Sequence, residues 1–533
     1  MHWIKENLKR GDLAALAVFA FSLLVKLPFL ADIRHDPAFV FPIIDCLEFN
    51  SWAGDILADW AGAWSALRNH PPLYPYFVAF IYAVLGYGTL AVAAAQYVLF
   101  SASTAFVYLI AARLFSRPAA LLSCAFMTFY WYFLYAQSFL YSENLSLFLN
   151  LSCAACLLFL EDGRKKFLLA GLLLGLSAVC RAEIIVVAAL ISLWFLAGGA
   201  AGKKPVKAYA LFLCGAALAL APVLARNYAV SGSLALRSQV GENLYMGNAP
   251  AFRGTSVLLE TGKPWADFIS TPDRALNRTL NEAENDRYFF AETRRLIREE
   301  PLAWGKLLLS KLAAFGAGTE FLRTEDLYVF NKYFPGRPHF RLVTLPAAFL
   351  SALLGLAFSL SGARRYLLLY SFLLSWAALV FFPLKTRYLM PVLPFLMMFS
   401  GYGVARLYEV LRRRQFLPAA GAAAFAAVFV LLSFYNPLKP RPPDASETYY
   451  AIARNYAEAG DAEKAAEFFL ACLRLNPASA SALNDLGALL MTAGRDAEAL
   501  EYFEAALKLD PADPMAGFNY KGCLKKMKAG AGG

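Results

Sequence analysis

Apolar runs of membrane-spanning length alternate along this chain with short polar connections, and the alternation stops near residue 435. A bilayer core takes about 20 apolar residues of helix, and a chain crossing it must satisfy its own backbone hydrogen bonds, so the runs predict helices. Spans are expected at 13–30, 90–112, 118–135, 145–160, 167–180, 184–196, 208–224, 342–360, 366–382, 388–407 and 416–435, about eleven crossings. The apolar stretch 73–85 is only 13 residues long and is expected to lie in the interface or re-enter. Residues 301–318 are apolar but interrupted by Lys306 and Lys311, the pattern of an amphipathic surface helix.

Charge orders these helices. Lys5, Lys9 and Arg10 precede the first run, and Arg113/Arg117, Arg164–Lys166, Lys203/Lys204/Lys207, Arg364/Arg365 and Arg412–Arg414 fall at alternate ends of later ones. Cytoplasmic loops collect Lys and Arg, so the amino terminus is expected inside and the carboxyl terminus outside. No small-residue cleavage site follows the first run, which reads as an uncleaved helix. The loop 32–72 holds Asp32, Asp36, Asp45, Glu48, Asp55 and Asp59 against Arg34 and Arg68, as suits an external loop. The organisation expected is a membrane module at 1–225, an external loop domain of mixed structure at 226–341, further membrane helices at 342–435, a proline-rich linker at 436–445 and a soluble domain at 446–533.

That last domain repeats. Pro477 and Pro511 are 34 residues apart, the period of a tetratricopeptide repeat. Leu483, Leu486, Gly487, Leu490, Ala499, Phe503 and Ala506 fill the signature positions of one copy; Tyr449, Ile452, Ala453, Tyr456, Ala465, Phe469 and Cys472 fill those of the other. Two repeats are few for a stable solenoid, so a basic capping helix at 518–528 or support from the membrane part is expected. The groove of such an array suits a protein partner.

Of the 533 residues 59% are hydrophobic and 17% charged, against about 25% charged in soluble proteins. The net charge of +11 sits in the short loops between apolar runs, which argues for topology and against nucleic acid. The cysteines lie mostly inside apolar runs and read as small buried hydrophobes.

Carboxylates beside a bilayer are costly to desolvate, so the acids at external boundaries are the first candidates for chemistry. Asp45 and Glu48 are three residues apart and share one helical face. Asp45 is expected as a general base with Glu48 as its helper, or the two as ligands of a divalent metal; the plain alternative is a helix cap or solvated acids. Glu143 is either a further acid of the site or a charge placed by the helix dipole. His70, in a Pro-Pro turn with Tyr74, could donate to a phosphate. Arg181 either does the same or pairs with Glu183. Arg226, Asn243, Tyr245 and Asn248 offer groups suited to a sugar, though they also resemble any polar turn. Lys385 and Arg387, before Tyr388, break the charge pattern at an external boundary, which calls for an anion such as a lipid phosphate, or for snorkelling to headgroups.

Five segments, at 44–56, 70–86, 226–236, 242–254 and 385–396, together resemble the GT-C membrane glycosyltransferases, close to the protein O-mannosyltransferase and aminoarabinose-transferase group. The resemblance implies an all-helical polytopic fold and inverting transfer from a polyprenyl-phosphate sugar outside the cytoplasmic membrane of a bacterium. Beyond that donor it fixes no cofactor, with a divalent metal as the candidate. It assigns the base to Asp45 and the phosphate contacts to His70 and Arg387. Several relatives carry paired acids in the first loop where this chain has Asp45-Cys46, which leaves a metal site open. The acceptor would be a glycan, a lipid or a protein. Competing readings are a flippase for a lipid-linked saccharide, which needs the cations but no base, an oligosaccharide ligase or polymerase, and a membrane-anchored scaffold.

Overall fold

The computed structural model describes residues 2–34, 37–42, 45–61, 64, 70–161, 163–196, 205–232, 234, 236, 239–252, 268–316, 343–378, 382–434, 445–511 and 513–531. Helices form wherever the apolar periodicity places them. The first group is α1 (His2–Ile33), α2 (Pro37–Val40), α3 (Asp45–Ala58), α4 (Leu73–Leu85), α5 (Thr89–Leu114), α6 (Arg117–Phe129), α7 (Trp131–Ala136) and α8 (Ser142–Phe159). It continues with α9 (Arg164–Cys180), α10 (Ile185–Leu196) and α11 (Pro205–Ser231). The stretch between residues 232 and 341 holds α12 (Val240–Asn248), α13 (Thr271–Leu276), α14 (Glu282–Glu299) and α15 (Pro301–Gly316). After it come α16 (Leu345–Ser359), α17 (Leu367–Ala378), α18 (Thr386–Leu389), α19 (Leu393–Arg412) and α20 (Phe416–Phe434).

Among the described residues, five stretches are long and apolar enough to cross a bilayer: Leu13–Ile33, Thr89–Leu114, Ser142–Phe159, Val206–Val230 and Leu345–Leu374. The last of these is bent by a 3-10 segment at Leu360–Tyr366, where Gly362 leaves helical geometry. The remaining expected crossings are shorter helices or broken ones. The run at 118–135 divides at Tyr130 into α6 and α7, and that at 388–407 starts in α18 and resumes at Leu393. The interior of the first loop is largely the helix α3. The described part of 226–341 is helical rather than mixed, and among the described residues the one strand-like contact is an isolated bridge of Tyr130 with Val343. The expected linker at 436–445 lies almost wholly outside the described residues.

Small residues set the closest crossings, since lipid gives helices no hydrophobic reason to associate and tight packing must do so instead. A side chain at Gly171 of α9 would meet the Phe212 carbonyl of α11 at 1.9 Å, and one at Gly215 the Leu168 carbonyl at 2.1 Å. Gly355 and Gly403 make the same close approach between α16 and α19.

The repeats are α21 (Ala445–Glu458), α22 (Ala462–Leu475), α23 (Ala480–Thr492) and α24 (Asp496–Leu509), followed by the capping helix α25 (Pro514–Ala531). Asp461 and Ser479 cap α22 and α23. The array also leans on the membrane part, because α21 packs against α2. Ser446 and Thr448 at the start of α21 are buried, and Tyr449, Ile452 and Phe468 join the same continuous apolar cluster as the membrane helices.

Candidate active site

Helix α3 begins at Asp45, so both Asp45 and Glu48 fall in its first turn, where the positive end of the helix dipole favours them. Cys46, Phe49, Trp52, Ala53 and Ile56 recur at helical spacing and form a buried stripe that packs on α4, with Asp45 at its amino-terminal end and Glu48 on its flank. The helix is pinned further along, where Tyr82 donates to Asn50 Oδ1 at 2.6 Å. Its start therefore has little freedom.

Asp45 meets Arg387, which stands in α18 at the other end of the membrane sequence. Arg387 Nε also lies 3.7 Å from Glu143 Oε1, at the start of α8. Glu143 is 1% exposed and takes a 2.8 Å ion pair from Arg181 Nη1. The other Arg181 amino group reaches Glu183 Oε1 at 3.1 Å. Two guanidiniums and three carboxylates thus alternate in one chain. Aromatic faces enclose it: Arg181 lies 4.8 Å from the Tyr388 ring centroid, and Arg387 lies 5.3 Å from that of Tyr141 and 5.5 Å from that of Tyr388. Lys385 Nζ donates to the Tyr388 hydroxyl at 3.2 Å. Beside the chain, His70 Nε2 sits 3.2 Å from Glu48 Oε2.

Electrostatics favour the charged forms of Asp45 and Arg387. Burial pushes the Asp45 carboxyl up, but Arg387, His70 and Lys385 together hold it well below the usual carboxylate range. Burial opposes the charge on Arg387 as well, and Asp45 and Glu143 outweigh it. Arg387 Nε is buried without a hydrogen-bond partner, a donor still to be satisfied.

The donors present do not fit a divalent metal. Asp45 faces a guanidinium and Glu48 an imidazole, and among the described residues no three His, Cys, Asp or Glu side chains converge. Cys153 and Cys156 of α8 do have Cys-x-x-Cys spacing, but both are buried and no further ligating group joins them. The positive charge at this site comes from Arg387 and Lys385.

The structure therefore brings Asp45, Glu143, Arg181, Lys385, Arg387 and Tyr388 together, with Glu48 and His70 alongside. Tyr74 is placed otherwise: it is fully buried and donates to Gln96 Oε1 at 2.8 Å. Gln96 in turn donates to the Gln137 and Phe139 carbonyls, each at 2.8 Å, so the pair fixes the turn carrying Tyr141 and Glu143. Arg226 donates to the Trp64 carbonyl at 2.6 Å and anchors the first loop. Tyr245 packs with Phe252, Phe268 and Phe289, and Asn248 Oδ1 accepts from Trp304 at 2.9 Å, so both serve the packing of α12 with its neighbours. Asn243 lines a cavity of about 390 Å³ whose far wall includes Tyr388 and Glu183. The rest of that wall is mainly aliphatic, with Val186, Leu220 and Leu224. Sequence reasoning missed Gln96 and Tyr141. An amide inside an apolar span was the available signal for Gln96.

Residues 69–226 match the dolichyl-phosphate-mannose-protein mannosyltransferase family. Residues 446–479 and 480–513 each match a tetratricopeptide repeat family. The resemblance read from the motifs is thereby met over residues 69–226 and over the repeats. No curated protein sequence matches the chain. Among solved structures, the oligosaccharyltransferase AglB from Archaeoglobus fulgidus, in complex with an inhibitory peptide and a dolichol-phosphate, aligns with 85% of this chain at 12% identity and a TM-score of 0.44. This chain spans 59% of that protein's length. ArnT from Cupriavidus metallidurans bound to undecaprenyl phosphate aligns with 76% of this chain and 78% of its own, at 17% identity and a TM-score of 0.32. ArnT in the apo state covers 84% and 91%, at 15% identity and the same TM-score of 0.32.

Proposed function

We propose that this chain is an inverting glycosyltransferase of the external face of the bacterial cytoplasmic membrane, moving a sugar from a polyprenyl-phosphate donor to a hydroxyl acceptor. The observation that carries the reading is the sharing of one guanidinium, Arg387, between Asp45 and Glu143 at an external boundary of a membrane protein. A carboxylate that can take a proton and a cation that can take a phosphate are then in contact. The match to the mannosyltransferase family over residues 69–226 supports the same reaction class.

In the proposed step the donor phosphate lies on Arg387 and Lys385, and the lipid tail enters the aliphatic cavity beside Tyr388. The acceptor hydroxyl gives its proton to Asp45 while its oxygen attacks the anomeric carbon from the face opposite the phosphate. The bond from that carbon to the phosphate oxygen breaks, and its electron pair leaves on the phosphate, where Arg387 and Lys385 hold the new charge. Configuration inverts in a single displacement. His70 steadies Glu48 at the edge of the site, and Glu143 with Glu183 keeps Arg181 and Arg387 oriented. The membrane helices at 1–225 and 342–435 would form the catalytic unit, with 226–341 as its external cover and the repeats at 446–533 as a partner-binding module.

Mass spectrometry of envelope glycans, lipids and glycoproteins, from cells with and without the gene, tests this. Wild type should restore one sugar on one acceptor and Asp45→Asn should not. Equal restoration by Asp45→Asn would favour a flippase, which needs the cations and not the base.

A further inference from the structure

Helix α15 has two faces. Leu302, Leu309 and Leu312 are exposed, as on a helix lying against lipid, while Leu307, Ser310, Lys311 and Ala314 are buried. Lys311 is 1% exposed. Its ammonium donates to the Gly247 carbonyl of α12 at 2.8 Å and to the Phe382 carbonyl at 2.6 Å. Phe382 opens the short segment that runs through Lys385 to Arg387. A buried amino group, its pKa drawn down to about 7 by burial, is costly where a Leu or Met would pack without penalty, so its place here calls for a role. Two turns earlier on the same helix, Trp304 donates to Asn248 of α12 at 2.9 Å and, among the described residues, makes no hydrogen bond to the segment from Phe382.

We infer that Lys311 is a positioning residue: by bonding the Phe382 carbonyl to the external helices it sets where Lys385 and Arg387 stand over Asp45, and so sets affinity for the lipid phosphate. The inference rests on the reading of Arg387 as a phosphate ligand. It makes α15, a helix with a lipid-facing leucine stripe, the support of the cationic segment.

The test uses the full chain in lipid nanodiscs, with Lys311→Met, Lys311→Arg and Trp304→Phe. Two quantities are read: hydrogen–deuterium exchange over residues 382–390, and binding of undecaprenyl phosphate. Lys311→Met should speed exchange in that segment and weaken lipid binding by about tenfold, the scale of a lost charged hydrogen bond. Lys311→Arg, which can still donate to both carbonyls, should restore most of each, and Trp304→Phe should move neither. Unchanged exchange in Lys311→Met, or an equal rise in Trp304→Phe, overturns the inference. Faster exchange with unchanged lipid affinity overturns its link to the donor. Should Lys311→Met not fold, Lys311→Gln takes its place, and wild-type behaviour in that variant counts against the role. A wild type that does not bind undecaprenyl phosphate overturns the phosphate reading of Arg387, while the exchange arm still decides whether Lys311 holds the segment.

Discussion

Arg387 bonds Asp45 across 342 residues of sequence, so the proposed base and the proposed phosphate ligand neutralise each other in the resting protein. A donor phosphate arriving at Arg387 competes with Asp45 for the guanidinium and, by drawing it off, makes the carboxylate more basic. Asp45→Asn removes that competitor along with the base. Transfer should fall by about 10²–10⁴-fold, the usual share of general base catalysis, while affinity for undecaprenyl phosphate stays equal or tightens a few-fold. Titration of the lipid against both proteins checks this. Loss of binding together with transfer would make Asp45 a structural residue.

Arg387→Lys separates geometry from charge. A guanidinium can hold Asp45, lie near Glu143 and still offer Nε to an anion, whereas an ammonium is a single point of charge on a flexible stem. Donor binding should weaken by about 10–100-fold in Arg387→Lys and further in Arg387→Ala, on the scale of hydrogen bonds to charged groups. The readout is the same lipid titration, and an unchanged dissociation constant in either variant would remove Arg387 from the phosphate site.

Much of this site was legible because its residues violate local rules. Lys385 and Arg387 break the placement of positive charge, Glu143 and Arg181 put charge at the ends of apolar runs, and Asp45 and Glu48 fall on one helical turn. Arg181 does pair with Glu183, as its neighbourhood suggested, and also with Glu143, which no spacing shows. What stayed hidden depends on packing between distant segments. Tyr245 and Asn248 look like sugar contacts and Tyr74 like part of the His70 turn, but packing sets the Tyr245 ring in an aromatic cluster, gives the Tyr74 hydroxyl to Gln96 and pairs the Asn248 amide oxygen with Trp304. Lys311 appeared only as an interruption in an apolar run. Helix lengths were harder still, since breaks at Tyr130 and in the segment before Leu393 divide runs that read as continuous.

The Asp45 pair also predicts a pH dependence. The folded carboxyl titrates well below 3.8 and the unfolded one near 3.9, so the stabilisation is complete above about pH 5 and is lost only as pH falls through the lower, folded value. The gap in apparent unfolding midpoint between wild type and Asp45→Asn, at one scan rate, should therefore be constant from pH 7 to about 5 and narrow below about 4. A gap that closes between pH 7 and 5 would contradict the ion pair.

The membrane unit should fail at its glycine crossings before it fails elsewhere. Gly171→Leu drives a side chain into the Phe212 backbone of α11, where nothing can rotate away. Overpacking of that kind costs about 3 kcal/mol or more, and recovery of monodisperse protein should drop sharply. Gly421→Ala, in α20 with nothing within 4 Å of the added carbon, should behave as wild type. Equal recovery of both variants would mean that α9 and α11 are not held at this distance.

The repeats should matter to transfer although they hold none of the proposed site residues. Helix α21 packs on α2, and α2 ends at Val40, five residues before Asp45. Five residues reach at most about 18 Å, so what holds α2 also limits where α3 can begin. Phe39 of α2 is itself wedged against Phe29, Tyr135 and Phe139, and Thr89 of α5 donates to the Val40 carbonyl at 3.2 Å. Deleting residues 445–533 uncovers one side of this junction and leaves its aromatic side intact. Transfer to any acceptor should then fall several-fold while undecaprenyl phosphate binding persists, because Lys385 and Arg387 do not depend on α2. Tyr450→Phe removes the hydroxyl bond from α21 to Asp485 and keeps the ring on Phe469; under the proposed partner-binding role of the repeats it should spare a small soluble acceptor and reduce transfer only to a protein acceptor. If the deletion leaves transfer to a small acceptor untouched, the contact of α21 with α2 carries no mechanical link to Asp45, and the repeats act on the acceptor alone.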